Sequence, residues 1–308
     1  MLFKASVALF SLLAASFRGV AAAPTPLVER GDSLSILSSA QVDAYNQYTL
    51  FASASYCPPV LTKGWECGPA CKKLGGFVTV DSGGDGAFVQ YWFVGYYPAW
   101  NSVVAVFQGT DPFKFVPLLT DANFILTRPD ASLFPGLPAD AKVHSGFLSS
   151  FKLSAAPVIA AVRKASSTYG TTKVTIIGHS MGAATGVLTA ASLKLNLGST
   201  FSFKIVGYGS PRVGNPAWVS WVDQNLSDLV HINNKDDPVP ILPGRFMGYA
   251  HSHGEIHIRD DNAWVNCPGN DNTAPGCTVA DVGNVLISNV LQHLGPYNGI
   301  LMGLCGLS

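Results

Sequence analysis

Charged residues are scarce in this 308-residue chain: Asp, Glu, Lys and Arg make up only 12 % of it, against about 25 % in an average globular protein. Nineteen basic residues balance nineteen acidic ones, so the chain has no net positive charge with which to hold nucleic-acid phosphates. A disordered chain combines low hydrophobicity with high net charge, whereas 48 % of these residues are hydrophobic. The composition excludes a disordered chain, argues against nucleic-acid binding and predicts a large buried core.

Motifs that hold metals or phosphates are missing as well. The sequence contains no H-E-x-x-H, no glycine-rich phosphate loop and no paired C-x-x-C knuckles. It also lacks internal repeats, low-complexity blocks and a membrane-spanning apolar run after residue 23. We therefore expect no metal, no cofactor, no transmembrane anchor, and a single domain over residues 24–308.

The first 23 residues have the pattern of a secretory signal peptide. Lys4 supplies the positive charge, residues 5–17 form an apolar run, and Ala21–Ala23 provides small residues for cleavage. The apolar run is too short for a helix that crosses a bilayer, and the alternative is a buried N-terminal helix. We predict secretion to the extracellular medium, and residues 24–30 are a candidate short propeptide.

An even number of cysteines in an exported chain predicts disulfides rather than free thiols. The residues alone leave the pairing open. Asn225 begins the chain's one Asn-x-Ser sequon and is the candidate N-glycosylation site. The six cysteines are Cys57, Cys67, Cys71, Cys267, Cys277 and Cys305.

Strand-like and helical segments alternate along the chain. The continuously apolar run at 103–107 suits a strand that is covered on both faces. Strands are predicted at 76–80, 88–94, 102–107, 173–177, 203–207 and 229–233, and helices at 33–55, 145–169, 181–195, 217–226 and 282–293. This alternation predicts an α/β domain with a mainly parallel central sheet flanked by helices.

Residues 178–182 read G-H-S-M-G and lie between a predicted strand and a predicted helix. In that setting G-x-S-x-G predicts a nucleophile elbow, a sharp turn that exposes the serine hydroxyl while the glycines allow close backbone approach. The helix N-terminus behind the serine offers unpaired N–H groups and the positive end of the helix dipole. Both favour an anionic intermediate, so Ser180 is the candidate nucleophile.

A serine nucleophile needs a base, and the base needs an acid to orient it. In α/β-hydrolases the three follow in the order Ser, acid, His. His293, where a helical pattern meets a Gly-Pro turn, is the candidate base, and Asp236 and Asp237 are both candidate acids after the strand 229–233. Structural roles are expected for the other histidines: His144, His179, His231, His251, His253 and His257.

Eight segments identify a resemblance that covers most of the chain after residue 23. In order they are YCPPV with a following C-x-x-x-C, VVAVFQGT, TDANFIL, VHSGF, TIIGHSMGAA, YGSPRVGN, NKDDPVPILP and QHLGPY. Together they resemble the fungal class 3 (triacylglycerol) lipases. The resemblance implies an α/β-hydrolase fold and a secreted lipase. It would hydrolyse the carboxylic esters of tri-, di- or monoacylglycerols at a lipid–water interface, through an acyl-enzyme.

The resemblance also implies roles for single residues. The family's D-x-V-P motif matches Asp237 rather than Asp236, and its H-L-x-Y/F segment matches His293, with Pro296 as a small departure. Thr110 in FQGT corresponds to an oxyanion-hole donor. Its backbone N–H, with its hydroxyl as a further candidate, would act together with the backbone N–H of Met181.

The family's lid falls on the segment directly after Thr110. Its apolar residues are Phe113, Phe115, Val116, Leu118 and Leu119. A buried core segment is the alternative, although Pro112 and Pro117 disfavour a long regular element there. By the same resemblance the cysteines pair as Cys57–Cys305, Cys67–Cys71 and Cys267–Cys277.

Two other functions fit part of this pattern. A feruloyl-type carboxylesterase shares the fold and triad, but its expected lid is more polar than a segment with Phe113, Phe115, Leu118 and Leu119. A secreted surface-binding protein with an inactive hydrolase fold would be expected to lack a triad member, and here all three positions are filled.

Overall fold

The computed structural model describes residues 33–110 and 124–306. The predicted signal peptide, the candidate propeptide and the apolar residues of the predicted lid lie outside these ranges. The strands are β1 (Ser35–Ile36), β2 (Val78–Gly83), β3 (Trp92–Tyr97), β4 (Ser102–Phe107), β5 (Leu126–Thr127), β6 (Val143–His144), β7 (Lys173–His179), β8 (Ser202–Tyr208), β9 (Asp228–Asn234), β10 (Glu255–Ile258) and β11 (Trp264–Cys267).

The helices lie before and between these strands. They are α1 (Ser39–Asp43), α2 (Asn46–Ala54), α3 (Pro59–Lys63), α4 (Pro69–Lys73), α5 (Ser145–Tyr169), α6 (Met181–Leu197), α7 (Pro216–Asn225) and α8 (Thr278–Asp281). Short 3₁₀ turns occur at Pro98–Trp100, Val239–Ile241, Arg245–Met247 and Val290–Leu294.

Nine strands form one mixed sheet in the order β1-β11-β10-β9-β8-β7-β4-β3-β2, and β5 pairs with β6 separately. The five central strands, from β10 to β4, are parallel, as the sequence predicts. Both flanks are antiparallel. The parallel strands all end at one edge of the sheet, and that edge carries the candidate site.

Two core layers cover the two faces of the sheet. Along β4, where every residue is buried, Val103 and Ala105 point into a layer shared with α5 and α6. Val104 and Val106 point into the opposite layer, which contains α2 and a cluster of aromatic rings. Helix α5 has the length and hydropathy of a membrane span, but nine of its side chains are buried, as expected for a core helix.

Two of the predicted helices are wrong. The first residues of the 33–55 segment form β1, which pairs with β11, and the rest divides into α1 and α2. The 282–293 segment has no continuous helix: α8 ends at Asp281, Gly283 has a positive φ, and the Asn289 side chain caps the 3₁₀ turn that follows. In addition, Phe88, predicted in a strand, lies in the β2–β3 hairpin, where Asp85 accepts hydrogen bonds from three backbone N–H groups.

Three disulfides connect Cys57 with Cys305, Cys67 with Cys71, and Cys267 with Cys277, the pairing that the resemblance implies. The first joins positions 248 residues apart, whereas the others close loops of 4 and 10 residues. Asn225 ends α7, and its side-chain amide donates to the Trp221 carbonyl; its glycosylation stays a prediction.

Removing the long-range disulfide should destabilise the fold more than removing a short-range one. In the chain-entropy model the Cys57–Cys305 link contributes about 5 kcal/mol and the Cys67–Cys71 link about 2 kcal/mol. Urea unfolding of the two paired Cys→Ser variants under non-reducing conditions measures the difference. Equal losses in the two variants would contradict this origin of the stabilisation.

Candidate active site

Ser180 lies at the turn between the end of β7 and the first residue of α6. Its backbone has φ 59° and ψ −129°, a positive φ that non-glycine residues adopt rarely and that clusters at functional sites. A Cβ on Gly178 would overlap the Gly182 carbonyl, and one on Gly182 would overlap the Phe107 carbonyl of β4. The two glycines therefore allow the tight strand–turn–helix packing of a nucleophile elbow.

Asp237 and His293 form a hydrogen-bonded pair in which neither side chain is exposed. His293 Nδ1 lies 2.8 Å from Asp237 Oδ2, while Asp237 Oδ1 accepts the Val239 N–H at 2.9 Å. Both carboxylate oxygens thus have donors, which offsets the cost of burying the charge. The structure places Asp237, and not the half-buried Asp236, against the imidazole.

Ser180 Oγ and His293 Nε2 are the two side-chain atoms between which a serine hydrolase passes its proton. Each is buried, and neither has a hydrogen-bond partner among the described residues. Before substrate binds, such catalytic hydrogen bonds are often long or poorly aligned. Gly209 packs directly against the pair, since a Cβ there would overlap both the His293 ring and the Asp237 carboxylate.

Thr110 and Met181, the candidate oxyanion-hole residues, lie side by side at the ends of β4 and β7. Thr110 Oγ1 is 3.6 Å from Met181 Sδ, so its hydroxyl faces the thioether. Gln108 secures this loop because its N–H and side-chain oxygen bond to the backbone of Tyr91. Gly109 lies close to the nucleophile, where an added Cβ would fall 2.8 Å from Ser180 Cβ.

The segment that carries His293 is clamped to the segment that carries Asp237. The Gln292 carbonyl accepts from Asn234 Nδ2 at 2.8 Å, and the Gln292 side-chain oxygen accepts the Asp236 N–H at 2.7 Å. The Asn289 N–H completes the clamp by donating to the Asp236 carbonyl at 2.9 Å. Sequence reasoning missed Gln292 and Asn234, because a side-chain bond to a distant backbone leaves no local pattern.

Arg212, also missed, supports the far end of the Asp237 segment from a fully buried position. Its guanidinium donates to the carbonyls of Ile241 and Pro243 and pairs with Asp271. The Arg212 charge lowers the pKa of Asp271, against the opposing effect of burial. The pair thus holds together two segments that follow different strands of the sheet.

Four buried histidines are held neutral by their surroundings. Burial lowers the pKa of His144 to about 4, and it also lowers the pKa values of His179, His231 and His251. The rings of His231 and His251 stack at 3.8 Å, so charging one disfavours charging the other. His144 Nδ1 accepts from the N–H groups of Gly146 and Phe147 and caps α5.

These lowered pKa values predict a loss of stability in acid. Below pH 6.5, the ordinary histidine pKa, these histidines bind protons in the unfolded chain but stay neutral in the folded chain. The free energy of unfolding therefore falls as the pH is lowered. Each such histidine contributes up to about 1.4 kcal/mol per pH unit. For His144 the loss extends from pH 6.5 down to about pH 4.

The variant His144→Asn tests this, because asparagine is a favoured helix cap that does not titrate. Between pH 6.5 and 4, its unfolding free energy should fall less steeply than that of the wild type, by about 1.4 kcal/mol per pH unit. Above pH 7 the two slopes should coincide. Urea titrations at a series of pH values give both slopes, and identical slopes in acid would show that His144 is not held neutral.

The central parallel sheet, the elbow and the buried His–Asp pair are features of the α/β-hydrolase class. Comparison with known proteins identifies one family within this class. A family model described as Lipase (class 3) matches residues 104–247. A secreted mono- and diacylglycerol lipase of Malassezia globosa is 32 % identical over 260 residues, which are 83 % of this chain and 81 % of that protein.

Solved structures agree. The native lipase–propeptide complex of Rhizomucor miehei superposes with a TM-score of 0.76 at 25 % identity, covering 88 % of this chain and 85 % of that chain. A lipase of Rhizopus microsporus var. chinensis has a TM-score of 0.76 at 25 % identity, covering 94 % and 99 %.

The chain belongs to the class 3 lipase family. It is a secreted carboxylic ester hydrolase with the α/β-hydrolase fold. The predicted family, fold class, enzyme class and secretion are therefore confirmed.

Proposed function

We propose that this lipase hydrolyses acylglycerol esters with Ser180 as nucleophile, His293 as general base and Asp237 as the acid that orients it. The observation that carries the assignment is the buried 2.8 Å bond between His293 and Asp237. The His293 ring lies 4.4 Å from the ring of His179, the residue directly before the elbow serine. Asp237 accepts from Nδ1, which leaves the lone pair of His293 on Nε2. That nitrogen takes the Ser180 proton as Oγ attacks the ester carbonyl.

The tetrahedral intermediate places a negative charge on the former carbonyl oxygen. In this proposal the backbone N–H groups of Thr110 and Met181 bind that oxyanion, helped by the positive end of the α6 dipole. Collapse of the intermediate expels the glyceride alcohol, which His293 protonates. Water, activated by His293, then attacks the Ser180 acyl ester and releases the fatty acid.

Large apolar side chains are exposed on the segments around this edge of the sheet. We define an apolar rim by Phe88, Phe246, Leu286 and Ile287, which are 86 %, 93 %, 95 % and 72 % exposed. Phe88 lies in the β2–β3 hairpin, directly before β3. The first residue of β3, Trp92, pairs with Phe107 at the end of β4, so the hairpin lies at the edge that carries the site. The others lie on the segments that follow Asp237 and precede His293.

The rim supports a lipid surface as the place of action. Transferring one large side chain from water to an apolar phase gains about 1.5–3 kcal/mol, so several together would bind the molecule with its site facing the lipid. A lid over the site, with Phe113, Phe115, Val116, Leu118 and Leu119 as its apolar residues, stays part of the proposal.

Within the acylglycerols we propose partial glycerides as the preferred substrates. The support is the name of the Malassezia globosa relative, a mono- and diacylglycerol lipase. Initial rates on emulsified mono-, di- and trioleoylglycerol, with methyl ferulate as the soluble aromatic ester, test the choice. A higher rate on trioleoylglycerol would reject the preference, and a higher rate on methyl ferulate would favour the esterase alternative.

Substitutions in the triad should separate the two neighbouring aspartates. We expect Ser180→Ala to lower kcat/KM for p-nitrophenyl butyrate by about 10⁶-fold, and Asp237→Asn by about 10⁴-fold, because the imidazole loses the partner that fixes its tautomer. Asp236→Asn is the matched control and should stay near wild-type activity, since only its backbone bonds to the base segment. The assignment fails if Asp236→Asn is the damaging change.

Polar substitutions in the apolar rim should affect emulsions and spare soluble esters. We expect Leu286→Ser/Ile287→Ser to lower the rate on emulsified dioleoylglycerol by about tenfold or more, because tenfold corresponds to only about 1.4 kcal/mol. Hydrolysis of dissolved p-nitrophenyl butyrate should hardly change. Both rates are measured by titrating released acid.

Ile36→Ser provides the matched control for this surface. Ile36 is 67 % exposed but lies on β1, five strand positions from β7 and so about 24 Å away along the sheet. It should leave both rates unchanged. Equal losses of the rim variant on both substrates would mean that Leu286 and Ile287 line the acyl site instead of contacting the lipid.

A further inference from the structure

His179, the residue before the nucleophile, connects three segments of the site through its side chain. Its Nε2 lies 2.8 Å from the carbonyl oxygen of His293, and its Nδ1 bonds to the hydroxyl of Tyr56. Gly109 packs against the same hydroxyl, since a Cβ added there would fall 2.5 Å from the Tyr56 oxygen. His179 and Tyr56 are both buried, so solvent does not compete for these bonds.

The partners determine the tautomer of His179. A carbonyl oxygen can only accept, so Nε2 must carry the proton that is donated to His293. Nδ1 is therefore the acceptor, and the Tyr56 hydroxyl must be its donor. One directed chain results, from Tyr56 O–H to His179 Nδ1 and from His179 Nε2–H to the His293 carbonyl.

The chain joins the two sides of the catalytic serine. Gly109 precedes Thr110 on the candidate oxyanion loop, and His293 is the proposed base. The contact of Tyr56 with Gly109 and the bond from His179 to His293 therefore relate the positions of the two across Ser180. The His179 and His293 rings also contact each other, with centroids 4.4 Å apart, which limits how far the base can turn.

We infer that His179 is a positioning residue for the general base, oriented by Tyr56 and holding His293 in register with the oxyanion loop. The inference rests on the catalytic roles proposed above for Ser180 and His293. It assigns no contact with substrate to either His179 or Tyr56.

The electrostatic setting agrees with this role. Burial, together with the neighbouring His293, keeps the pKa of His179 well below its ordinary value, while burial raises the pKa of Tyr56. Burial thus favours the neutral form of His179 and the protonated form of Tyr56. A neutral neighbour leaves His293 free to become an imidazolium during the reaction, whereas a cation at 4.4 Å would oppose that charge.

Three variants test the chain of bonds, with p-nitrophenyl butyrate as substrate and the burst of diethyl p-nitrophenyl phosphate as the count of competent serines. His179→Leu removes the donor to His293, and we expect kcat per titrated site to fall by about 10- to 100-fold with little change in KM. His179→Gln restores an N–H donor and should recover most of that loss. Tyr56→Phe leaves Nδ1 without its donor and should give a smaller fall in kcat.

Tyr97→Phe is the matched control. Tyr97 is also a buried residue, but its hydroxyl bonds to Gln47, and it lies at the far end of β3, paired with Ser102. This variant should lose some stability and keep its kcat per site. In a double variant, Tyr56→Phe should add less than its own effect to His179→Leu, because both break one chain.

A merely structural role predicts a different result, namely fewer titratable sites with an unchanged kcat per site. That outcome, or a His179→Gln variant as impaired as His179→Leu, would overturn the inference while the wild type remains active. If the wild type shows no hydrolysis that depends on Ser180, the proposed function itself fails, and the inference with it. If His179→Leu does not fold, Tyr56→Phe against Tyr97→Phe decides the question.

Discussion

The site depends on how closely the backbone segments around Ser180 pack against one another, because two positions there leave no room for a side chain. Gly178 and Gly182 face carbonyl oxygens with no room for a Cβ, so α6 begins directly against β4 and β7. This packing fixes the position of the serine hydroxyl, and the other groups of the site are arranged relative to that position. Because β4, β8 and β9 run parallel to β7, their ends deliver Thr110, Gly209 and Asp237 to the same edge.

Burial imposes the second constraint, since a charge placed away from water needs partners. Asp237 has a donor on each oxygen, and burial keeps the pKa of the nearby His179 low, so this neighbour adds no positive charge beside the carboxylate and the proposed base. The low local dielectric of this buried environment also strengthens each hydrogen bond inside the site. Burial also lowers the pKa values of histidines in the fold, so these side chains bind protons more readily in the unfolded chain. The order of the proposed site and the expected sensitivity to acid therefore have one origin.

Much of this arrangement could be predicted from sequence, because it is recorded in local patterns. The α5 helix has the predicted bounds, and the motifs around Asp237 and His293 suffice to predict that these two side chains meet. The failures involve long-range contacts. Ser35 and Ile36 form a strand because they pair with Asn266 and Val265, about 230 positions away in the sequence. This long-range pairing overrides the local helical periodicity.

The supporting residues were out of reach for a related reason. Gln292 and His179 each place a side-chain atom against a backbone atom of a distant segment. A glutamine or a histidine in such a role looks like any other in the sequence. Only the packed structure shows which backbone group each one reaches.

The disulfide between Cys57 and Cys305 is also connected to the site, because Cys57 is the covalent neighbour of Tyr56. The chain that leaves His293 returns through Cys305 to Cys57, and the hydrogen bonds from Tyr56 through His179 lead back to His293. A closed ring of covalent and hydrogen bonds thus passes through His293, the proposed base. Because disulfides form in oxidising compartments, we expect this ring to close only once the chain is exported.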